Sequence, residues 1–228
     1  LLIDGDNLWI GTYARGIHVY NTKTKSLSVF KHSSDRKNSI NDDGIYALCK
    51  TKNGDIYVGT HAGLNKYDRY KNEFINIEQA SKFIYDIKED DFGNLWLATY
   101  GSGVIRYHIP TNEWICYDSI CDNSNPLKES KLTNIYIDSK KTLLFASEGQ
   151  GIFFYDYKTD SFKNISETDG LPNGVIYGIL DDPQGNWWMS SNKGIIRMNI
   201  SDLHNIKLYT RDDGLQSNQF NYKSAYDL

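Results

Sequence analysis

A six-residue phrase recurs along the chain, and this recurrence constrains the fold more than any other feature. It reads NLWIGT at 7–12 and returns as variants at 55–60, 94–99, 142–147 and 186–191. Aligned on their second apolar residue, the five copies are separated by steps of 48, 39, 48 and 44 residues. Internal periods of this size are typical of propellers, solenoids and other arrays.

Each period is predicted to contain four short strands. In the second period we place them at 44–50, 55–60, 63–68 and 73–77. The runs are rich in β-branched and aromatic residues, and Gly, Asn, Asp or Lys bounds them. A turn with glycine joins the first two strands in three periods. The fourth period has SKKT at 139–142 instead, so we expect a different turn there, after a first strand at 134–139.

Four antiparallel strands in each period predict an all-β fold, a β-propeller of four-stranded antiparallel blades. Five blades are expected, at about 1–35, 40–78, 81–118, 132–166 and 173–210. Residues 217–228 resemble the first strand of a next blade. Either that strand closes a five-bladed ring or the chain is a fragment of a larger propeller; we expect the fragment, because both ends fall within a blade.

The blade architecture explains the recurring phrase. A blade is covered by neighbours on both faces, so its second strand carries apolar residues on both sides. Bulky side chains such as Trp9 fill the space where blades diverge, and their burial stabilises the fold by about 2–3 kcal/mol each. Where backbones come close only small residues fit, which is the expected role of Gly11, Gly59, Ala98, Ala146 and Ser190.

Composition excludes several classes of protein. The net charge of −4 argues against a nucleic-acid binder, which would present a basic face. Cys49, Cys116 and Cys121 form neither a disulfide framework nor a zinc site; Cys116 and Cys121 could pair, but small apolar fillers are the better interpretation. No apolar run approaches the roughly 18 residues of a membrane span. Because the chain is read as a fragment, missing targeting segments say nothing about its compartment.

The turns between second and third strands share one rim and keep a glycine frame around variable residues. Variation on a fixed frame indicates a ligand-binding rim, although neutral surface drift produces the same pattern. The candidate binding residues are Tyr13, Arg15, His61, Tyr100, Ser102, Glu148, Gln150, Asn192 and Lys193. Two long loops between blades, 31–43 and 118–131, are either functional or tolerated insertions.

Catalysis has little support in the sequence. No phosphate-binding loop, nucleophile elbow or His-x-x-x-His pair is present, and no metal or cofactor is expected. Glu148 and Glu167 are the carboxylates to test for acid–base chemistry. The tyrosines of the rim, Tyr13 and Tyr100, could stack on sugar rings, and Gln150 and Asn192 could bind hydroxyl groups.

The pattern at 90–107, nearly repeated at 4–20, resembles the two-component regulator propeller repeat, and 169–182 and 213–228 resemble its links between blades. The resemblance implies seven-bladed propellers in the periplasmic sensor of a hybrid two-component histidine kinase. It further implies a non-enzymatic module that detects oligosaccharides, dimerises in the full-length protein and reaches the membrane through other segments. It supplies no ligand-binding residues. The alternatives are a carbohydrate-active propeller lyase or hydrolase, and a protein-binding scaffold.

Overall fold

A computed structural model describes residues 1–117, 126–127 and 129–225 of the chain. Twenty strands form five separate sheets of four, and each sheet runs in sequence order with antiparallel neighbours. The first sheet contains β1 (Leu2–Asp4), β2 (Asn7–Gly11), β3 (Ile17–Asn21) and β4 (Leu27–Phe30). The second contains β5 (Ile45–Lys50), β6 (Ile56–Thr60), β7 (Leu64–Asp68) and β8 (Glu73–Ile77). The third contains β9 (Ile84–Glu89), β10 (Asn94–Thr99), β11 (Val104–His108) and β12 (Glu113–Tyr117).

The last two sheets repeat the same plan. The fourth contains β13 (Leu132–Ile137), β14 (Leu143–Ser147), β15 (Ile152–Asp156) and β16 (Ser161–Ile165). The fifth contains β17 (Ile176–Asp181), β18 (Asn186–Ser191), β19 (Ile195–Asn199) and β20 (Asp202–Tyr209). The predicted blades therefore exist as separate sheets. By its contacts the chain divides into two compact units, one of Leu1–Tyr100 with Val104–Cys116, the other of Gly101–Gly103 with the chain from Tyr117 onward.

A β-bulge near the start of the first strand recurs in sheets two to five. The register shifts at Tyr46, Tyr85, Thr133 and Tyr177, each of which is the extra residue between two paired positions. In the fourth sheet this moves the start of the strand to Leu132, two residues before the predicted start at 134. The prediction missed these residues because Thr133 stands where the other bulges carry tyrosine.

The turn after the first strand depends on an aspartate. The carboxylate of Asp90 accepts hydrogen bonds from the backbone and side-chain amides of Asn94, at 2.9 and 2.8 Å, and from Trp96 Nε1, at 2.8 Å. Asp182 binds Asn186 and Trp188 in the same way. The D-x-x-G-N-x-W spacing is therefore a structural clamp that ties the hairpin to its buried indole.

The expectation of a different turn at 139–142 is wrong. The Asp138 amide donates to the Thr142 carbonyl at 3.1 Å, which is the bond that closes the glycine-containing turns. Lys141 takes the place of glycine with a φ of 66°, a left-handed conformation that side chains rarely adopt. The Asp138 carboxylate, which accepts the Lys140 and Thr142 amides, stabilises this turn without glycine.

The first unit is held together by apolar side chains between consecutive sheets. Trp9, at 2 % exposure, packs with Ile45, Ile56 and Val58 of the second sheet. A Cβ placed on Gly59 would lie 2.7 Å from Ile84 Cγ2, closer than real atoms approach. The small residue of the recurring phrase is therefore required by the first strand of the next sheet, as the sequence predicts.

In the second unit, a cluster of buried side chains that includes Leu144, Ile176 and Met189 joins the fourth sheet to the fifth. Single 3₁₀ turns at Glu167–Asp169 and Arg211–Asp213 begin with capping boxes at Ser166 and Thr210. The sequences ETDG (167–170) and RDDG (211–214) are thus turn formers.

The C-terminal segment differs from the expected strand at 217–228. Residues 217–225 form turns and bends, and 226–228 lie outside the described residues. The segment packs on the fifth sheet through Tyr222, whose ring lies 4.7 Å from that of Tyr177, but the described part forms no ladder with a neighbouring strand. Within the described ranges, no helix has the length and apolar character needed to cross a membrane.

Candidate functional site

Four of the rim turns are closed by the hydroxyl group that ends the recurring phrase. Thr12, Thr60, Ser147 and Ser191 each donate to the carbonyl of the glycine that starts the third strand, at 2.8–2.9 Å. The same oxygens accept amide N–H groups from within the turn. The residues between hydroxyl and glycine therefore sit on a frame that does not depend on their side chains.

In the first unit, six aromatic side chains of the rim touch one another; we call them the rim aromatic cluster. Its members are Tyr13, Tyr46, His61, Phe83, Tyr85 and Tyr100. Tyr46 lies at the centre, with its ring centroid 5.7 Å from Tyr13, 4.5 Å from Phe83 and 5.4 Å from Tyr85.

The cluster continues to the third sheet. The Phe83 ring lies 4.9 Å from His61 and 5.3 Å from Tyr100, and Tyr85 and Tyr100 stack at 5.8 Å with 25° between their planes. Tyr13 is 78 % exposed, whereas Phe83, Tyr85 and Tyr100 are half-buried. The cluster therefore presents a contiguous aromatic surface that is exposed to solvent at Tyr13 and His61.

Backbone features place these rings. Tyr46 and Tyr85 are the bulge residues of β5 and β9, and a bulge re-aims a side chain that would otherwise alternate across the sheet. The Tyr100 amide donates to the Phe83 carbonyl at 3.0 Å, and the Ile45 amide donates to Thr12 at 2.8 Å. Each rim turn is thus bonded to the start of a first strand.

The cluster is uncharged at its centre. Burial, followed by the hydrogen bond with the Tyr13 hydroxyl, raises the pKa of the Tyr46 phenol above its ordinary value. Tyr46 therefore stays protonated at neutral pH and can donate a hydrogen bond. A surface of phenol groups combines apolar ring faces with hydroxyl donors and acceptors, which suits a ligand with both C–H faces and hydroxyl groups.

Of the predicted residues in this unit, Tyr13, His61 and Tyr100 come together in the cluster. Arg15 lies elsewhere. It lines an open groove of about 1090 Å³ with the basic side chains Lys31, Arg36 and Lys37 of the long loop 31–43. That loop is folded onto the protein, because Ile40 is fully buried in the core.

The predicted residues of the second unit lie in separate rim turns. Ser102 is half-buried, and Asn192 and Lys193 are exposed at the tip of one turn. Glu148 and Gln150 share another turn, in which the Glu148 amide donates to Lys131 at 2.9 Å and the Gln150 amide donates to Ser147 Oγ at 3.0 Å. The structure therefore assembles an aromatic surface in the first unit and separate polar turns in the second.

Of the two carboxylates considered for catalysis, that of Glu167 makes a structural contact. Glu167 Oε1 accepts the Gly174 amide at 2.9 Å, which fixes the link that precedes the fifth sheet. Among the described residues, no group of three or more His, Cys, Asp or Glu side chains is placed to hold a metal ion. Cys49 is a free thiol and Cys116 is exposed, whereas Cys121 and most of the loop 118–131 lie outside the described residues.

Sequence reasoning missed Tyr46, Phe83 and Tyr85. It assigned them to first strands, where alternation would send them to either face of a buried sheet. A signal was present, because the tripeptides GIY, FIY and VIY open three of the first strands. The bulge turns Tyr46 and Tyr85 to the rim, and a bulge cannot be recognised from the residues of one repeat alone.

Comparison with known proteins supports the architecture. Three segments, 39–62, 78–101 and 170–193, match the model of the two component regulator propeller family. A histidine kinase from Formosa agariphila is 25 % identical over 97 % of this chain, which spans 20 % of that relative.

Solved structures share the fold at low sequence identity. The extracellular domain assigned to a hybrid two component system from B. thetaiotaomicron aligns with a TM-score of 0.75 and 16 % identity, covering 95 % of this chain and 29 % of that one. Virginiamycin B lyase from Staphylococcus aureus aligns with a TM-score of 0.67 and 14 % identity, covering 91 % of this chain and 68 % of that one. These similarities establish the fold and leave the activity to the site.

Proposed function

We propose that this chain, a β-propeller built from two component regulator propeller repeats, is the ligand-sensing region of a longer sensor kinase. The three matched repeats and the likeness to an extracellular two component domain support this role. The chain itself is non-enzymatic in this proposal, and it lies outside the cytoplasm. Homodimerisation and membrane attachment belong to the full-length protein.

The proposed ligand is an oligosaccharide bound on the rim aromatic cluster. The observation that carries this assignment is the contiguous set of six rings, with Tyr13 exposed and the protonated phenol of Tyr46 beside it. Sugar rings bury C–H faces against aromatic rings and direct their hydroxyl groups to phenols at the edge. The aromatic share of 14 % is thus in part concentrated where a saccharide is expected to bind.

The test is calorimetric titration of the chain with a panel of short neutral and acidic oligosaccharides. Tyr13→Ala should weaken binding about tenfold or more, since truncating an aromatic side chain that contacts the ligand costs about 1.4 kcal/mol or more. Because Tyr13 is 78 % exposed, its unfolding free energy should change by less than about 0.5 kcal/mol. Tyr70→Ala is the matched control, a fully exposed tyrosine of the same unit outside the cluster, and it should bind normally.

Two results would overturn the proposal. One is a failure to bind at the cluster, observed either as no heat with any oligosaccharide or as an affinity of Tyr13→Ala equal to that of the unmodified chain. The other is cleavage of a panel member that is lost in Glu148→Gln, because turnover through that carboxylate would make the chain an enzyme. Product analysis after long incubation with the same panel measures the second.

A further inference from the structure

Three tryptophans of the second strands, the buried Trp9 and Trp96 and the half-buried Trp188, differ in what their indole N–H groups bind. Trp96 Nε1 donates to Asp90 at 2.8 Å and Trp188 Nε1 donates to Asp182 at 2.7 Å. Trp9 is equally a core residue, at 2 % exposure, yet its Nε1 has no acceptor among the described residues. A buried donor without a partner costs about 1–3 kcal/mol, so its retention calls for a cause.

The missing acceptor follows from a shorter hairpin. In the first sheet Asp4 pairs directly with Asn7, three residues on, whereas Asp90 and Asn94 are four residues apart. The Asp4 carboxylate is then engaged by other side chains, with Lys50 Nζ at 2.9 Å and the Arg69 guanidinium in contact. No aspartate is left for the Trp9 indole.

The same sheet also lacks the side chains that cover the ring elsewhere. Lys66 lies 5.7 Å over the Tyr57 ring and Arg106 lies 5.6 Å over the Trp96 ring. The residue paired with Trp9 at this position is Val19. On the fourth strand Val19 pairs in turn with Ser28, and the equivalent position of the second sheet is Ile75.

These changes together open a cavity of about 280 Å³ beside Trp9. Phe30 stacks with the Trp9 ring and Tyr67 meets it edge-on at 4.8 Å. The polar lining includes Asn7 and Asn72. Their side-chain oxygens accept bonds from Asn21 and from the Tyr67 hydroxyl, at 2.8 and 2.6 Å, which leaves both NH₂ groups to donate.

We propose that this cavity is a second binding site, distinct from the rim aromatic cluster, and that it takes one neutral sugar ring. The Asn7 and Asn72 NH₂ groups are donors and the Ser28 hydroxyl can donate or accept, so the ligand must offer acceptor oxygens; the Trp9 Nε1 atom is itself buried from solvent. An anionic ligand would compete with Asp4 for Arg69, which favours a neutral one. The volume equals that of roughly nine liquid water molecules, which suits one ring rather than a chain of them.

The test is a titration of the chain with neutral hexoses and the matching uronic acids, followed by the five indole N–H signals in NMR spectra. The Trp9 signal is assigned by its loss in Trp9→Phe. Neutral hexoses should shift that signal in a saturable manner. Tyr13→Ala should leave the shift unchanged, which separates this site from the proposed rim function.

Closing variants decide whether the cavity itself binds. Val19→Lys copies Lys66 of the second sheet and Ser28→Lys copies Lys207 of the fifth, so both follow a pattern that the fold already accepts. Each should weaken the hexose response at least tenfold, whereas Ile75→Lys, which adds the same charge outside the cavity, should not. An unshifted Trp9 signal at hexose concentrations well above 1 mM, a response to uronic acids alone, or full binding in both closing variants would overturn the proposal.

Discussion

The contrast between two tryptophans gives the sharpest test of the clamp that recurs in this fold. Trp96→Phe removes an indole that donates to Asp90, whereas Trp9→Phe removes an indole that donates to no described group. Both rings are buried, so the loss of ring volume is similar in the two variants. The difference in unfolding free energy therefore reports the Trp96 hydrogen bond together with the relief of the unpaired Trp9 donor.

A hydrogen bond to a charged group contributes about 1.5–3 kcal/mol. When the indole is removed, the Asp90 carboxylate still accepts hydrogen bonds from the amide groups of Phe92 and Asn94, so its charge remains hydrogen-bonded within the turn. The lower end of that range applies to the bond, and removing the unpaired Trp9 donor adds to the difference, so Trp96→Phe should cost at least about 1.5 kcal/mol more than Trp9→Phe.

Urea unfolding followed by far-ultraviolet circular dichroism measures this difference. Both tryptophans lie in the first unit, so the two variants are compared within the same part of the fold. Equal slopes against urea are required for the comparison, because a changed slope signals a changed unfolded state. Equal free energies for the two variants, or a larger cost for Trp9→Phe, would refute the stabilising role of the Asp90 bond.

Three further outcomes are expected. Burial opposes ionisation of Asp182, but the indole and amide donors outweigh it and lower its pKa to about 2. The stabilisation from this carboxylate is therefore present above about pH 4 and is lost as the pH falls toward 2. Between pH 4 and pH 2 the melting temperature of Asp182→Asn should consequently fall less than that of the unmodified protein. Gly59→Ala should cost about 1–3 kcal/mol by overpacking against Ile84 Cγ2, and chemical denaturation should show that this cost shrinks in the background of Ile84→Ala, which removes that methyl group. Ser147→Ala should cost about 1 kcal/mol in the same assay, because the hydroxyl closes its rim turn. If Ser147→Ala proves neutral, the hydroxyl frame is not what holds the turn.

The sheets could be predicted from the sequence because their signal is repeated. One copy of NLWIGT is ambiguous between a strand and a buried helix, but five copies at propeller spacing are not. The turn at 139–142 was mispredicted for the opposite reason. Its glycine is absent, and the Asp138 carboxylate that lets Lys141 adopt a left-handed conformation acts through contacts that spacing does not reveal.

Three of the six members of the rim aromatic cluster could be predicted from the sequence. Tyr13, His61 and Tyr100 lie in turns, where position relative to the glycine frame is enough to place them on the rim. Tyr46 and Tyr85 depend on a bulge, which is a property of the pairing between two strands and not of either strand alone. The cavity beside Trp9 was not predictable either, because it arises from residues of two sheets that meet only after folding.

The hydroxyl-to-glycine closure of the rim turns separates what folds the chain from what the chain displays. Since a hydroxyl group and main-chain atoms complete each turn, the tip residues are exchangeable without disturbing the ladder beneath them. The tip residues of these turns can therefore vary on a backbone frame that the turns share. Related proteins can acquire new ligand preferences by substitution of these tip residues. The buried indoles and the aspartate clamps of the sheets remain unaltered by such substitutions.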